Sequence, residues 1–303
     1  MPLIQANQLT RYYGAHCAVD HISFTLDKGD ILGFLGPNGA GKSTTMQMLT
    51  GNLAPSEGSV AIDDIDLLEH PKTAKTALGY LPEQPPLYRD LTVDEYLRYC
   101  AQLHRVDKKS LPAAVEMAMQ RCGLTDVRRR LIGNLSKGYQ QRVGIAQAIV
   151  HTPKVIILDE PTVGLDPIQI REIRELIREL GESHGIILST HILPEVQSLC
   201  NRVQMIHQGR LVFESAMDAL LENRSGQYRI DLRTQVSRQQ LLALPCVDEV
   251  RHDHEGLVVS LNDSADVFSD AVAAQGWGLT RLMPVQASLE QIFIQLTQQE
   301  QAA

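Results

Sequence analysis

The segment from Gly36 to Ser43 constrains the fold of this chain more than any other segment. It is a P-loop pattern, in which two glycines separated by four residues are followed by Lys42 and Ser43. The run 31–35 before it predicts a strand, and the run 43–51 after it predicts a helix. The backbone amides of such a loop, together with the positive end of the helix that follows, bind phosphate oxygens. The sequence therefore predicts a phosphate site between a strand and a helix.

The polar groups of this loop indicate what the site binds. Lys42 is expected to reach the β- and γ-phosphates of a nucleoside triphosphate, and the hydroxyl of Ser43 is expected to ligate magnesium. The predicted nucleotide-binding residues of the loop are Gly36, Pro37, Asn38, Gly39, Ala40, Gly41, Lys42, Ser43 and Thr44.

Length, charge and cysteine usage exclude several classes of protein. A chain of 303 residues is long enough for about two domains. Its net charge of -8 argues against nucleic acid as a partner, because phosphate-backbone binders are usually basic. The 5 cysteines lie far apart, which favours neither a zinc site nor a disulfide framework. No apolar run approaches the roughly 18 residues that a membrane-spanning helix needs.

The main domain is predicted to cover 1–222 and to contain a helical subdomain at about 88–138. Short strands at 4–9, 21–26 and 59–62 precede the helical subdomain. Strands and helices alternate after it, as helix 139–150, strand 154–158, helix 168–181, strand 186–189 and helix 192–200. That alternation is typical of an α/β fold, with a parallel sheet covered by helices on both faces.

A smaller α+β domain is predicted over 227–303. Its pattern is strand, helix, two strands, helix and strand, which is the ferredoxin-like order. A last amphipathic segment, Ser288 to Leu296, is expected to cap it. His252 and His254 have a spacing that a metal could use, yet no third ligand is evident, so an exposed polar face is favoured.

Two carboxylates follow the apolar strand 155–158. In parallel sheets the carboxyl ends of the strands are where ligands bind. Asp159 is therefore predicted to hold magnesium, and Glu160 to act as the general base for an attacking water. The alternative is that both are ordinary acidic turn residues.

The segment Leu135–Arg142 is specific enough to indicate a protein family. It reads Leu-Ser-Lys-Gly-Tyr-Gln-Gln-Arg and resembles the signature loop of the ATP-binding cassette (ABC) family, whose pattern is Leu-Ser-Gly-Gly-Gln. Lys137 and Tyr139 depart from that pattern, whereas Ser136 and Gly138 keep it. In the family this loop contacts the γ-phosphate bound to a second copy, so the resemblance implies a dimer that encloses ATP.

Other residues match the family in order and spacing. Tyr13 resembles the aromatic residue that stacks on adenine, although a packed tyrosine at a strand end is the alternative. Asp166, in Gly164-Leu165-Asp166, resembles the loop that couples the two sites. His191 resembles the switch histidine that touches the γ-phosphate, although a lone histidine is more often structural.

For one position of the family pattern, two residues of this sequence are candidates. The family places a magnesium-sensing glutamine after the strand that contains Gly79-Tyr80, and without a gap this position holds Glu83, followed by Gln84. Either side chain could contact the nucleotide, and Gln84 is taken as the magnesium ligand beside Ser43 and Asp159.

Taken together, the motifs resemble the exporter branch of the family, in drug-resistance and gliding-motility ATPases. The resemblance implies a P-loop NTPase fold with a parallel core sheet, an antiparallel β subdomain and a helical subdomain. It also implies an ATPase that uses ATP and Mg²⁺, a second copy of the chain, and a separate membrane permease. The expected location is peripheral, on the cytoplasmic face of the membrane.

Two other functions compete with transport. A soluble ABC-type ATPase acting in DNA repair or translation would usually carry two cassettes or a long coiled-coil insertion, and this chain has neither pattern. A regulatory module with a degenerate ATPase site conflicts with the intact set of Lys42, Asp159, Glu160 and His191.

Overall fold

The computed structural model describes residues 1–221, 226–253, 256–284 and 289. The chain divides into two compact units, Met1–Ala216 and Met217–Ala303. The predicted first domain ends at residue 222, which lies outside the described ranges, and the predicted second domain begins at residue 227, which lies within them.

The first unit contains these elements in chain order. Its strands are β1 (Ile4–Tyr13), β2 (His16–Leu26), β3 (Ile31–Leu35), β4 (Glu57–Ile62), β5 (Ile65–Asp66), β6 (Leu78–Leu81), β7 (Val155–Asp159), β8 (Gly185–Thr190), β9 (Arg202–His207) and β10 (Arg210–Ala216). Its helices are α1 (Lys42–Leu49), α2 (Pro71–Ala74), α3 (Val93–Leu103), α4 (Leu111–Arg121), α5 (Lys137–Ile149), α6 (Pro167–Gly181) and α7 (Leu193–Leu199), with 3₁₀ turns at Lys75–Ala77, Thr125–Val127 and Ile132–Asn134.

The core sheet has the order β10-β9-β3-β8-β7-β6. Its strands are parallel except for the edge strand β10, which is antiparallel to β9. Every residue of β3, β7 and β8 is buried, because helices cover both faces of the sheet. Phe34 packs in one core cluster with Met46 of α1, whereas Gly33 lies against Val196 of α7. Successive residues of a strand point to opposite faces, so α1 and α7 lie on opposite sides.

The antiparallel sheet has the order β2-β1-β4-β5. Its hairpin of β1 and β2 is longer than the sequence indicated, because the polar runs next to the turn pair through register shifts instead of strict alternation. Tyr13 consequently pairs with His16 at the tip of the hairpin, close to Gly14 with φ +60°.

The helical region lies between β6 and β7 and is built from α3 and α4, followed by the start of α5. Thr92 begins α3 with a capping box, in which its side chain and that of Glu95 bond each other's backbone amides. Both helices bury one apolar face, and they pack against each other and against α5.

The second unit begins with α8 (Met217–Leu221) and continues with β11 (Gln227–Leu232), α9 (Arg238–Leu242), β12 (Val247–Asp253), β13 (Gly256–Leu261), α10 (Ala265–Ala274) and β14 (Leu279–Pro284). The antiparallel sheet has the order β12-β13-β11-β14, with the predicted succession of strands and helices. Phe268 of α10 and Ile230 of β11 lie in its core. Of the predicted segment Ser288 to Leu296, only Leu289 belongs to the described residues.

Candidate functional site

The loop between β3 and α1 has a backbone conformation that requires glycine at particular positions. Gly39 and Gly41 have φ values of +81° and +105°, in the left-handed region that other residues avoid. A Cβ on Gly41 would lie 2.6 Å from the carbonyl oxygen of Ala18, and a Cβ on Gly36 would lie 2.4 Å from that of Ile206. The loop therefore needs glycine at both positions in order to pass so close to neighbouring backbone.

Lys42 is 6% exposed and lies in the floor of the loop. Its Nζ donates to the carbonyl oxygens of Gly36 at 2.8 Å and Pro37 at 3.2 Å, and lies 4.0 Å from Oε1 of Glu160. Burial lowers the pKa of Lys42, and the nearby carboxylates oppose that shift. A cation held in this way can exchange carbonyl partners for phosphate oxygens.

Asp159 ends β7 and is 4% exposed. Its Oδ1 is buried and has no hydrogen-bond partner among the described residues. Burial raises the pKa of Asp159, against the opposing effects of the hydroxyls of Ser189 and Ser43 and of Lys42. An unpaired carboxylate oxygen close to a hydroxyl is the oxygen donor set that Mg²⁺ prefers, so these residues fit the predicted ion.

Glu160 follows in a strained backbone conformation, with φ +49°. Its amide donates to the carbonyl oxygen of Ser189 at 2.9 Å, which holds the residue against the end of β8. His191 Nδ1 lies 2.9 Å from Oε1 and 3.0 Å from Oε2, so the nitrogen is assigned as the donor. Burial raises the pKa of Glu160, which makes the carboxylate a better proton acceptor.

Tyr13 lies at the tip of the hairpin with 48% of its surface exposed. The guanidinium carbon of Arg11 lies 5.1 Å from the centre of the Tyr13 ring, within the range of a cation–π contact. Arg11 Nη1 also donates to the carbonyl oxygen of Ala54 at 2.9 Å. The ring is thus held in place by an arginine that is itself anchored.

Several of these groups line one cavity of about 430 Å³, called the P-loop cavity below, whereas the predicted site residues Gly36, Pro37, Ala40 and Asp159 are not among its lining residues. It is lined by Tyr13, His16, Ala18, Asn38, Gly39, Gly41, Lys42, Ser43, Thr44, Glu83, Glu160, Val163 and His191. The sequence did not indicate His16, Ala18 or Val163. The pairing of His16 with Tyr13 across the hairpin could have indicated the first of these.

A second cavity, of about 680 Å³, lies beside the first and shares Glu83 and Val163 with it. Gln84, the predicted magnesium ligand, lines only this second cavity, together with Lys137. The structure therefore brings Glu83, and not Gln84, to the wall that contains Lys42 and Ser43.

The signature segment and Asp166 lie outside the lining of the P-loop cavity. Ser136 begins α5 and accepts from the amide of Tyr139 at 3.4 Å. A Cβ on Gly138 would lie 2.6 Å from Cδ of Gln169, so α5 and α6 begin side by side. Lys137 Nζ lies so close to Gly164 that a Cβ there would be 2.0 Å away. Asp166 begins α6 and accepts from the amides of residues 168 and 169 at 3.0 Å.

Neither a cluster of metal-ligating side chains nor a membrane-spanning helix is found in the described part of the chain. His252 is exposed, and His254 lies outside the described residues. Among the residues that are described, no group of three or more His, Cys, Asp or Glu side chains could hold a metal ion. No described helix is long and apolar enough to cross a membrane.

The fold and the site define a P-loop nucleotide-binding protein in which the buried carboxylate of Glu160 lies beside the lysine of the loop. A model of the family described as "ABC transporter" matches residues 19–163. The bacitracin transport ATP-binding protein BcrA of Bacillus licheniformis is 40% identical over 220 residues, which cover 72% of this chain and 71% of the relative.

Two further relatives extend this comparison. The ABC transporter ATP-binding protein NatA of Bacillus subtilis (strain 168) is 38% identical over 208 residues, covering 68% of this chain and 85% of NatA. The BcrA protein of Enterococcus faecalis is 32% identical over 298 residues, covering 97% of this chain and 96% of the relative. The similarity to this last relative therefore includes the second unit.

Solved structures share the fold of the first unit. The ATP-binding subunit of an ABC transporter superposes with a TM-score of 0.66 at 31% identity, covering 72% of this chain and 91% of that one. The cbiO1 protein of Clostridium perfringens, part of the ABC transporter complex cbiONQ, gives a TM-score of 0.66 at 28% identity and covers 73% and 90%.

The chain belongs to the ABC transporter family. It is an ATP-binding subunit with ATPase activity, homologous to the transport ATP-binding proteins BcrA and NatA named above. The predicted family, fold class and ATPase function are confirmed. The relatives lend no support to a role in DNA repair.

Proposed function

We propose that two copies of this chain enclose two Mg-ATP molecules and drive a separate membrane permease in export, from a peripheral position on the cytoplasmic face. The observation that carries the proposal is the division of the predicted site. Lys42, Ser43 and Glu160 share the P-loop cavity, whereas Ser136 and Asp166 lie outside it. A second copy facing the first would bring its signature segment to the open side of the nucleotide.

In this proposal the residues of the P-loop cavity have distinct tasks. Tyr13 stacks on adenine, and Lys42 exchanges the carbonyl oxygens of Gly36 and Pro37 for the β- and γ-phosphates. Asp159 and Ser43, with Glu83 nearby, would hold Mg²⁺, which neutralises developing charge on the phosphates when it is bound.

Glu160 accepts the proton of the attacking water, and His191 keeps the carboxylate oriented through its Nδ1–H. General base catalysis of this kind contributes roughly 10²- to 10⁴-fold to the rate. Closure around ATP and reopening after hydrolysis would move the helical region, and with it the attached permease.

A role in transport is supported by the names of the relatives. The two BcrA proteins are described as bacitracin transport ATP-binding proteins. The structurally similar cbiO1 is described as part of a transporter complex. A separate permease fits a chain in which no described helix could span the membrane.

The catalytic role is tested with Glu160→Gln, which keeps the shape of the side chain but removes the base. We expect ATP binding to be retained, turnover to be lost and an ATP-bound dimer to accumulate in size-exclusion chromatography. Glu182→Gln, at an exposed glutamate, is the matched control. Turnover at the wild-type rate in Glu160→Gln would exclude Glu160 as the base.

The shared site is tested by mixing two inactive variants. Lys42→Ala removes the ammonium group that is proposed to bind the phosphates. Tyr139→Glu places a negative charge in the signature segment at an exposed position. Because each variant supplies the part that the other lacks, their mixture should recover part of the ATPase activity. A mixture as inactive as its components would show that each copy works alone.

The permease is tested by purifying the tagged full chain from detergent-solubilised membranes of its native host. We expect a protein with several membrane-spanning helices to co-purify. Recovery of soluble partners alone would contradict the transport role.

A further inference from the structure

Glu195 is a fully buried carboxylate that does not line the P-loop cavity. It lies in the first turn of α7 and has 0% of its surface exposed. A buried carboxylate must be paired and hydrogen-bonded, because its removal from water is energetically costly. Its contacts therefore indicate what it is for.

Two hydroxyl groups and one guanidinium surround this carboxylate. Thr162 Oγ1 donates to Oε1, and Thr190 Oγ1 donates to Oε2 at 2.8 Å. Arg174 Nη2 lies 3.6 Å from Oε1. Both carboxylate oxygens are used, each by a donor from a different segment of the chain.

The partners lie beside the groups to which the proposed function assigns the chemistry. Thr162 follows Glu160 by two residues, and Thr190 directly precedes His191. Arg174 belongs to α6, the helix that Asp166 begins. One carboxylate thus joins the segment of the base, the segment of its histidine partner and α6.

The segment of Glu160 needs such an anchor. Its φ of +49° is a conformation that an L-residue adopts only when surrounding structure imposes it. The nearby backbone bonds, Glu160 N to Ser189 O at 2.9 Å and Val163 N to Glu160 O at 3.3 Å, fix the main chain close to the residue itself. Thr162 is the point at which the same segment is tied to the segment of His191.

We propose that Glu195 is a positioning residue for ATP hydrolysis, holding Glu160 and His191 at their contact distance; the inference rests on the proposed function. The two hydroxyls donate to different oxygens of one carboxylate, an arrangement that glutamate offers and an apolar residue does not. Burying a charge here is a poor way to stabilise the fold, since apolar replacements of buried ion pairs are often neutral or stabilising. A need to place the segments of Glu160 and His191 precisely accounts for the buried carboxylate.

The main test compares Glu195→Gln and Glu195→Leu with the wild-type full chain. Gln keeps one acceptor oxygen, whereas Leu keeps none at similar volume. We expect kcat to fall roughly 10- to 100-fold, with the larger loss for Leu, as for other residues that orient catalytic groups. The KM for ATP and the ATP dissociation constant should stay within about twofold, because the P-loop is unchanged. Glu179→Gln, at an exposed position of α6, is the control.

A double-mutant cycle separates positioning from general destabilisation. Thr162→Val and Thr190→Val each remove one hydroxyl donor, and Thr190→Val also removes the acceptor of the Ile192 amide. Each should lower kcat in the wild-type background, and Thr162→Val should not lower it further in the Glu195→Leu background. Additive losses in that background would overturn the proposal. If Glu195→Leu does not fold, the two valine variants and Glu195→Gln carry the test alone.

The outcomes distinguish this inference from the proposed function. Loss of turnover in Glu160→Gln with normal kcat in Glu195→Gln and in both valine variants would overturn the role of Glu195 and leave the proposed base in place. Normal turnover in Glu160→Gln would remove the base itself. Parallel losses of kcat, ATP affinity and melting temperature in the Glu195 variants would show that Glu195 only stabilises the fold.

Discussion

The ammonium nitrogen of Lys42 lies 4.0 Å from Oε1 of Glu160, and both side chains are at least nine-tenths buried. The candidate phosphate ligand and the candidate base are therefore neighbours in the fold. Burial lowers the pKa of Lys42 and raises the pKa of Glu160, which favours the neutral form of each group. The opposite charge of its neighbour opposes each shift, so the two groups help to keep each other charged.

Replacement of this cation should weaken nucleotide binding. In Lys42→Ala the γ-phosphate would meet Glu160 and Asp159 without a compensating charge. We expect the dissociation constant for ATP to rise about 100-fold, the equivalent of roughly 3 kcal/mol for a charged hydrogen-bonding partner. Titration calorimetry with Mg-ATP measures it, with Lys28→Ala at an exposed lysine as the control. Tight binding by Lys42→Ala would contradict the assignment.

Burial of Asp159 should destabilise the nucleotide-free protein at neutral pH. Its pKa is raised in the folded state, so the protonated acid stabilises the fold fully below the unfolded pKa of about 3.9. That contribution is lost as the pH rises through the folded-state pKa. Asp159→Asn should therefore be more stable than wild type near neutral pH by about 1 kcal/mol, or roughly 2–4 °C in melting temperature.

Thermal unfolding without nucleotide or magnesium, at about pH 8 and about pH 4, measures this difference. The gain should be present at the higher pH and absent at the lower one, and Asp90→Asn, at an exposed position, should show neither effect. The same Asp159 variant should lose magnesium-dependent ATPase activity. An equal gain at both pH values would mean that ionisation of Asp159 is not its cause.

The sequence predicts those site residues that lie at or directly after the end of a strand, or that form one continuous motif. Gly36 to Ser43 is one loop, and Asp159, Glu160 and His191 follow buried strands whose apolar runs are visible in the sequence. Since parallel strands bring their carboxyl ends to one edge of the sheet, the grouping of these residues follows from the pattern.

The rest depends on packing between distant segments. A gapless count cannot decide whether Glu83 or Gln84 faces the loop, because this depends on how the chain leaves β6. Glu195 lies 33 residues from Thr162, and a glutamate in the first turn of a short helix predicts an exposed, dipole-stabilising side chain. Nothing in its local sequence indicates full burial.

The two left-handed glycines of the loop should differ in their tolerance of a side chain. Gly39→Ala places a methyl group where no described atom lies within 4 Å, so only the backbone strain of roughly 1–2 kcal/mol is expected. Gly41→Ala adds a collision with the carbonyl oxygen of Ala18. We expect its loss in the free energy of unfolding, measured in urea, to exceed about 3 kcal/mol. Equal losses for the two variants would mean that the loop moves away from Ala18.

Arg11 should influence ATP affinity through Tyr13, because its guanidinium lies 5.1 Å from the centre of that ring. Arg11→Gln removes the cation–π contact, which is worth about 0.5–1 kcal/mol at an exposed site. The KM for ATP should therefore rise about two- to fivefold, while kcat stays constant, since Arg11 does not line the P-loop cavity. Arg129→Gln, at an exposed arginine, is the control for the lost charge. In a Tyr13→Ala background, which should itself raise the KM, the Arg11 substitution should have no further effect. A rise of the same size in that background would mean that Arg11 acts on the nucleotide by charge and not by holding the ring.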